Sequence, residues 1–594
     1  MAFTTRPELL GTFGMTTSTH WLASATAMSV LEKGGNAFDA AVAAGFVLQI
    51  VEPHLNGPGG EVPILFYSAA QDRVQVLCGQ GVTPATMDHP TLAALGLDVV
   101  PGTGLLPAVV PGAFGAWMTL LRDYGSLPLD VVMGYAIDYA ENGYPVVPRM
   151  AASIMAIADF FKREWTTSAE QWLPNGEAPK PNSRFANPAI AATYKRIVAE
   201  AKRVSDRSEQ CEVARRMFYE GFVAEAVDDY FRSNAVLDTS GRRNKGLLTG
   251  DDMANWQATY EASACYDYHG HQVHKTGPWG QGPVFLQQLA LLKGFDIAAM
   301  DPASPEFIHT VVECSKLAFA DREVFYGEPA HSDIPLATLL SDGYNAARRA
   351  LVDANVASHT FRPGAIGDSA RRTEILLRNA GKQQPGGAGQ GEPTFADLPE
   401  LRGDTVHLDV VDRWGNVVSA TPSGGWLQAA PAIPGLGFNI TTRAQMFWME
   451  QGLPSSIGPK RRPRTTLTPT LVMKDGKPYC AFGSPGGDQQ DQWTLQMFLK
   501  HVHHGMNLQE AIDAPTFQTA HLVNSFYPRN LSLGKLSVES RLPRQTLEAL
   551  QAKGHDVVVS GAWSLGRVCA IGMSGGLLRG AATPRQMQAY AVGR

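Results

Sequence analysis

Thr405 is the residue of this chain whose surroundings best suit covalent chemistry. It opens a segment in which Val406, Leu408 and Val410 are apolar, and this period of two predicts a half-buried strand. The preceding run 381–393 is rich in Gly and Pro and predicts a loop or tail. Cleavage before a threonine frees an α-amine that can act as base for the threonine's own hydroxyl. The segment therefore fits a self-cleaving N-terminal nucleophile; the alternative is a β-branched residue that merely opens a strand.

A glycine turn offers a second chemical element. Gly486 and Gly487 lie between a predicted strand, 478–482, and a predicted helix. Backbone N–H groups at such a turn carry positive partial charge and can stabilise the oxyanion of an acyl-transfer intermediate. A plain strand-to-helix connection is the alternative.

Several predicted elements would position these groups. Residues 417–421 return as the second strand of a hairpin after a turn at 412–416. Residues 21–33 have helical periodicity, and the almost wholly apolar helix 37–51 requires burial on nearly all sides. The region 104–245 is mainly helical and contains no catalytic constellation.

Three alternating histidines raise the question of a metal site. His269, His271 and His274 lie in a stretch with strand alternation, but no cluster of acidic residues or cysteines accompanies them. Half-exposed histidines of a sheet are the favoured interpretation.

Composition limits the class of protein. The 594 residues allow about four domains or one large α/β unit, and 44% hydrophobic residues suffice for a sizeable core. A net charge of −6 with dispersed Lys and Arg argues against a nucleic-acid-binding surface. No signal peptide or transmembrane run is visible, and six scattered cysteines suit reduced thiols, so a cytoplasmic location is expected.

Three groups of motifs together resemble the gamma-glutamyltransferase (gamma-glutamyltranspeptidase) family, including its oxamate amidohydrolase-like and acylase-like members. They are Gly-Gly-Asn-Ala-x-Asp-Ala-Ala with Glu-Pro-His, Thr-x-His with Val-Val-Asp-x-x-Gly-Asn, and Arg-Pro-x-Thr-Thr-x-Thr-Pro-Thr with Gly-Ser-Pro-Gly-Gly. The resemblance implies an α+β Ntn-hydrolase fold, an αββα four-layer sandwich of two stacked antiparallel sheets flanked by helices.

The resemblance also implies a precursor that cuts itself between Asp404 and Thr405. The products would be a large chain, residues 1–404 with a flexible tail at about 381–404, and a small catalytic chain, residues 405–594. Together they would form one Ntn-hydrolase unit. Carried over residue by residue, the family roles are Thr405 as nucleophile, Ser423 as the hydroxyl that orients the new α-amine, Gly486 and Gly487 as the oxyanion hole, and Thr465 and Thr466 as contacts of a substrate carboxylate.

Two departures from the family pattern concern the substrate. Gln80 stands where glutathione-binding members have an Arg, and Arg443 stands beside the place of an acidic residue that holds the α-amino group. An ammonium group would meet no anion there, and Arg443 would repel it by about a few tenths to several kcal/mol, depending on burial. We therefore expect a small anionic amide without an α-amine, with Arg443, Thr465, Thr466 and Gln80 as the substrate-binding residues.

His407 and Asp409 share a strand face with Thr405, which suggests a Thr-His-Asp triad. Alternate residues of one strand lie about 7 Å apart, too far for direct hydrogen bonds, so the sequence argues against the triad and for a structural His407.

The resulting prediction is a self-cleaving threonine amidohydrolase or acyltransferase that acts through an acyl-enzyme. The alternatives are a true gamma-glutamyl transpeptidase or glutathione hydrolase, and an unprocessed, non-catalytic family member. No cofactor or metal is expected. The expected partners are a small amide or gamma-glutamyl substrate and the two chains of the precursor itself; a homodimer is an open alternative, and neither nucleic acid nor a membrane is expected.

Overall fold

Two stacked antiparallel sheets form the centre of the protein in a computed structural model that describes residues 3–380 and 405–594. The sheet that contains the predicted hairpin, called here the hairpin sheet, has seven strands. In spatial order they are Tyr590–Gly593, Met15–Ser18, Leu408–Val411, Val417–Ala420, Val62–Ser68, Arg73–Gly79 and Thr259–Glu261. Strands from before residue 381 and strands from after residue 404 are therefore interleaved in one sheet.

The opposite sheet is also antiparallel and has seven strands. In spatial order they are Leu9–Gly11, Leu577–Ala582, Cys569–Ser574, Lys477–Gly483, Thr470–Lys474, His271–Lys275 and Ala264–Tyr268. The predicted histidines do not share one strand, because His269 lies in the turn with a φ of 51°. His269 is exposed, His274 is half-buried and His271 is buried, so the expectation of half-exposed histidines is correct only for His274.

The hairpin presents two different faces, but the prediction of a half-buried strand is wrong, because the helical layer covers one face and the opposite sheet covers the other. Val406, Leu408 and Val410 pack against the buried helix Ala37–Val51. The intervening residues point into the space between the sheets, where an apolar cluster joins both sheets. Its members include Met15, Leu65, Val411 and Val417 from the hairpin sheet and Leu471, Met473, Ala481 and Ile571 from the opposite sheet.

Helices cover the outer face of the hairpin sheet. The predicted helices are confirmed at Trp21–Glu32 and Ala37–Val51, and every residue of the second is buried. Seven further helices extend this layer: Ala113–Tyr124, Leu129–Asn142, Pro148–Arg163, Thr166–Trp172, Pro188–Ala201, Arg207–Tyr219 and Phe222–Ser233.

A second helical layer covers the opposite sheet. Its members are Gly282–Leu292, Pro305–Phe325, Gln490–His504, Leu508–Asp513 and Arg544–Ala552. Ser304 caps the second of these, because its hydroxyl accepts a hydrogen bond from the Phe307 amide at 3.2 Å. The four-layer αββα sandwich expected from the resemblance is thus confirmed.

The remaining elements are short or peripheral. They are the helices His89–Ala94, Gly250–Ala254, Leu336–Leu339, Asp342–Arg349 and Ser369–Asn379, and the strands Tyr144–Pro145, Arg184–Phe185, Val236–Leu237, Arg243–Asn244, Phe517–Thr519, Lys535–Glu539 and Asp556–Ser560. Within residues 3–380 and 405–594, no helix has the length and apolar character needed to cross a membrane. All six cysteines are unpaired.

Candidate active site

Four polar residues lie in one row across the hairpin sheet, and we call them the nucleophile row: Thr405, Ser423, Glu61 and Gln80. Bridges pair Thr405 with Ser423 and Ser423 with Glu61. The pairing of Val62 with Gly79 continues the same register, which places Gln80 opposite Glu61. Strands lie about 4.8 Å apart, so the Gln80 backbone is about 14 Å from that of Thr405.

Thr405 is fully buried, and its hydroxyl lies beside that of Ser423. The two oxygens are 3.3 Å apart. Ser423 Oγ also accepts a hydrogen bond from Arg443 Nη2 at 2.8 Å. The structure therefore brings Ser423 to the candidate nucleophile, and a cation fixes its orientation; the role of Ser423 toward the α-amine stays a prediction. Asp404 and the tail 381–404 lie outside the described residues.

Arg443 and Glu61 form a fully buried ion pair next to these hydroxyls. Arg443 Nε donates to Glu61 Oε1 at 2.6 Å, and the guanidinium also lies over the rings of Trp426 and Phe526 at 4.7 and 5.7 Å. The expectation that no anion stands here is wrong, because Glu61 supplies one. The charge of Arg443 is therefore already compensated before substrate binds. The sequence offered no signal for this, since the partners lie 382 positions apart.

His407 lies two residues after Thr405 in the chain. Its Nδ1 lies 3.0 Å from Thr421 Oγ1 and its Nε2 lies 3.0 Å from Asp409 Oδ1, although the latter contact lacks hydrogen-bond geometry. Asp409 in turn accepts hydrogen bonds from Ser419 at 2.7 Å and Thr17 at 3.1 Å. The argument that His407 and Asp409 are too far apart to meet is wrong. Both ring nitrogens nevertheless face groups other than Thr405, so the rejection of the triad stands.

The glycine turn is attached to His407 through the opposite sheet. A side chain at Gly483 would lie 2.3 Å from His407 Cε1, so the strand that ends there can contact the ring only because it ends in glycine. Gly486 follows three residues later with a φ of 130°, a conformation that side chains other than glycine rarely adopt. The turn thus follows directly from a strand end that touches the nucleophile strand.

Buried charges hold the far side of the turn. The Asp488 carboxylate accepts hydrogen bonds from the Ser525 amide at 2.9 Å and the Ser525 hydroxyl at 2.6 Å, and it pairs with Arg322. The pKa of Asp488 lies below its usual value, because the Arg322 charge and these hydrogen bonds outweigh the effect of burial. Arg322, which lies on the helix Pro305–Phe325, therefore anchors the turn through Asp488.

Thr465 and Thr466 are fully buried and follow a second buried arginine. Thr465 N donates to Trp279 O at 3.0 Å, whereas Thr466 Oγ1 has no hydrogen-bond partner among the described residues. Arg464 Nη2 donates to Glu323 at 2.9 Å, but its Nε and Nη1 have no partner within that part of the chain. These donors are buried and have no hydrogen-bond partner within the described chain.

Gln80 lies at the other end of the nucleophile row and lines a cavity of about 680 Å³. The side chain is 1% exposed, and neither its amide nitrogen nor its amide oxygen has a partner among residues 3–380 and 405–594. The cavity volume is typical of small-molecule sites. The predicted substrate-binding position therefore borders a cavity, about 14 Å from Thr405, with its amide buried.

The Glu-Pro-His motif lies on the other side of the nucleophile strand. Thr19 bridges them: its amide donates to His407 O at 3.1 Å, and its hydroxyl donates to Glu52 at 2.7 Å. Burial raises the pKa of Glu52 to about 7. The His54 carbonyl accepts a hydrogen bond from Gln428 at 2.9 Å. This motif therefore packs against both the nucleophile strand and the loop that follows Ser423.

Comparison with known proteins gives whole-length matches. The model of the gamma-glutamyltranspeptidase family matches residues 23–593. A solved structure named LmbA2991HD is 51% identical, with a TM-score of 0.91 and 100% of both chains covered. The cephalosporin acylase from Bacillus halodurans is 26% identical, with a TM-score of 0.81 and 100% and 98% of the two chains covered.

Curated relatives carry several functional names. The glutathione hydrolase-like YwrD proenzyme of Bacillus subtilis is 29% identical over 97% of this chain and 98% of its own. The oxamate amidohydrolase proenzyme of Klebsiella pneumoniae is 28% identical over 98% of this chain and 99% of its own. The names of these relatives thus specify different amide substrates.

Proposed function

The chain belongs to the gamma-glutamyltranspeptidase family of Ntn-hydrolase enzymes, and from this we propose that it is a self-processing threonine amidohydrolase that acts on a small anionic amide. The main observation that supports this proposal is the geometry of Thr405, whose hydroxyl lies 3.3 Å from Ser423 Oγ in a fully buried site. The proenzyme names of its relatives are consistent with a chain that is cut before it works.

The proposed reaction has two halves. Cleavage before Thr405 frees its α-amine, which takes the proton from Thr405 Oγ1 as that oxygen attacks the amide carbonyl. The oxyanion is stabilised by N–H groups of the Gly486–Gly487 turn, the C–N bond breaks, and the amine leaves with the proton. Water then attacks the acyl ester in the same way, which releases the acid and restores Thr405 Oγ–H.

Ser423 and Arg443 act as positioning residues in this scheme. Arg443 cannot serve as the main carboxylate ligand while it is paired with Glu61, because the buried pair has no net charge. We place the substrate carboxylate instead at Thr466 and Arg464, whose hydroxyl and guanidinium N–H groups have no partner in the described part of the chain. An anion there would satisfy donors whose burial otherwise costs about 1–3 kcal/mol each.

Gamma-glutamyl transfer is the second candidate, and one observation favours it: Glu61 compensates the charge of Arg443, so Arg443 would repel an α-ammonium group less than its own charge suggests. The two candidates differ in charge at one carbon of the acyl group. Glutaryl-p-nitroanilide carries only the carboxylate, whereas γ-glutamyl-p-nitroanilide carries the ammonium group as well.

The test measures release of p-nitroaniline from both compounds, with and without glycylglycine as acceptor. We expect the glutaryl compound to be the better substrate, with little acceleration by the dipeptide. Preference for the γ-glutamyl compound with strong acceleration would instead support transpeptidation. Thr405→Ala should be inactive on both compounds and Thr405→Ser partly active; an active Thr405→Ala protein would contradict the mechanism.

A further inference from the structure

One buried loop touches both halves of the proposed reaction centre, and we call it the anchor loop: residues 523–531. An antiparallel bridge between its two ends closes it. The loop forms no helix or strand, yet Ser525, Phe526 and Arg529 are at most 1% exposed. Connecting segments normally run over the surface, so burial of these three side chains indicates that the loop supports the interior.

The first contacts of the anchor loop reach the glycine turn. Ser525 gives the Asp488 carboxylate two hydrogen bonds, from its amide at 2.9 Å and from its hydroxyl at 2.6 Å. Arg322 fixes the same arrangement from the helix side, because it pairs with Asp488 and donates to the Val523 carbonyl at 2.8 Å. Asp488 directly follows Gly487 in the chain, so the position of its carboxylate constrains the turn.

The other contacts of the anchor loop reach the nucleophile side. The centre of the Phe526 ring lies 5.7 Å from the guanidinium carbon of Arg443, which holds the hydroxyl next to the nucleophile. Arg529 Nη2 donates to the Gln445 carbonyl at 3.3 Å, and the Tyr527 amide donates to the Gln445 side chain at 3.4 Å. The loop therefore links the segment that contains Arg443 to the turn that contains the oxyanion donors.

The glycine turn needs such support from outside. An oxyanion hole works only if its N–H groups are held at hydrogen-bond distance from the developing oxyanion. Gly486 and Gly487 have φ angles of 130° and 54°, and they have no side chains that could fix the turn. Glycine also has more backbone freedom than any other residue. The buried Asp488 carboxylate and the donors that bind it supply the missing constraint.

We infer that Ser525 is a positioning residue of the oxyanion turn: through Asp488 it holds the Gly486 and Gly487 amides at a fixed distance from Thr405. The inference deepens the proposed function and rests on it for the role of the turn. Ser525 acts through Asp488 and not on the acyl group. Its removal should therefore destabilise the charged tetrahedral state and leave substrate binding unchanged.

The main experiment compares Ser525→Ala with the wild type on glutaryl-p-nitroanilide. We expect kcat to fall by about 10-fold with little change in KM, because loss of a whole oxyanion donor costs about 10²- to 10³-fold and a displaced donor costs less. Ser540→Ala, at an exposed serine that follows the strand Lys535–Glu539, is the matched control and should keep kcat. Equal kcat values for the two variants would overturn the inference.

Two inhibitors separate positioning from binding. 4-Boronobutanoic acid has boron in place of the acyl carbonyl carbon. Thr405 Oγ1 adds to the boron, its proton passes to the α-amine, and the anionic tetrahedral adduct mimics the charged state of the reaction. Glutarate, the acid product, forms no such adduct. Ser525→Ala should weaken binding of the boronate by about 10-fold and leave that of glutarate unchanged. Equal weakening of both would assign the effect to substrate binding and overturn the inference.

Hydrogen exchange of the turn needs no turnover. We expect faster amide exchange in the segment 484–490 of Ser525→Ala than of Ser540→Ala, with the helix Ala37–Val51 unchanged. Unchanged exchange at the turn, or faster exchange in both regions, would overturn the inference.

Failure of the inference is distinguishable from failure of the proposed function. Turnover of the anilide by the wild type, with the same kcat and the same exchange in Ser525→Ala, would overturn the inference and leave the function standing. Faster exchange at the turn in Ser525→Ala, without turnover by the wild type, would support the link between Ser525 and the turn and contradict the proposed function.

Discussion

The two ends of the nucleophile row differ in how completely their polar groups are satisfied. At one end, Ser423 bridges Thr405 and Arg443, and Arg443 is paired with Glu61. At the other end, the Gln80 amide is buried beside a cavity and has no partner among the described residues. A site whose groups are fixed before substrate arrives is preorganised for chemistry, whereas unsatisfied donors and acceptors depend on a ligand. The comparison indicates that the Thr405 end is preorganised for the reaction.

Removal of one partner at the satisfied end should have the largest effect on stability. Arg443→Met leaves Glu61 buried without its cation and is expected to cost about 3–5 kcal/mol of unfolding free energy. The double variant Arg443→Met with Glu61→Gln removes both charges and should recover much of this loss. Urea unfolding of both variants and of Gln80→Leu provides the measurement. Equal unfolding free energies of Arg443→Met and Gln80→Leu would contradict the proposed difference between the two ends of the row.

The second prediction concerns the turn that joins the opposite sheet to the nucleophile. A side chain at Gly486 would lie 2.2 Å from the Trp493 ring, and the φ of 130° is strained for any residue but glycine. Gly486→Ala should therefore displace the oxyanion donors and lower kcat by about 10²- to 10³-fold. Gly505, with a φ of 64° and open space around it, lies at the other end of the same helix. Gly505→Ala should cost about 1–2 kcal/mol of stability and leave kcat unchanged.

The smallest effect is expected at Glu52, which hydrogen-bonds to Thr19 beside the nucleophile strand. Burial raises its pKa from the ordinary value of 4.5 to about 7 in the folded protein, so the folded state holds the proton more tightly. The resulting destabilisation is absent below pH 4.5, grows as the pH rises to about 7 and is constant above, at about 3 kcal/mol. Glu52→Gln should thus stabilise the protein at pH 8 and change nothing at pH 4. Melting temperatures across this range that move in parallel for both proteins would contradict the shift.

Local patterns predicted much of the fold. The helix Ala37–Val51 was predictable because an almost wholly apolar helix must be buried, and the hairpin because apolar residues alternate on both sides of a turn. The resemblance also singled out Ser423, whose hydroxyl lies 3.3 Å from that of Thr405. The parts of the site that the sequence did not predict depend mainly on contacts between distant segments of the chain. The pairing of Arg443 with Glu61 and the anchoring of Asp488 by Arg322 arise from sheet stacking and strand order, which local sequence does not encode. The contact of His407 with Asp409 is local, but the backbone spacing of about 7 Å neglected the reach of the two side chains.

The central claim is that Thr405 becomes an N-terminal nucleophile, and intact mass spectrometry of the purified protein under denaturing conditions tests it most directly. We predict two polypeptides whose masses place the break between Asp404 and Thr405, with a single uncut polypeptide for Thr405→Ala. A wild-type chain that remains whole after prolonged incubation, or that breaks at another bond, would contradict the account.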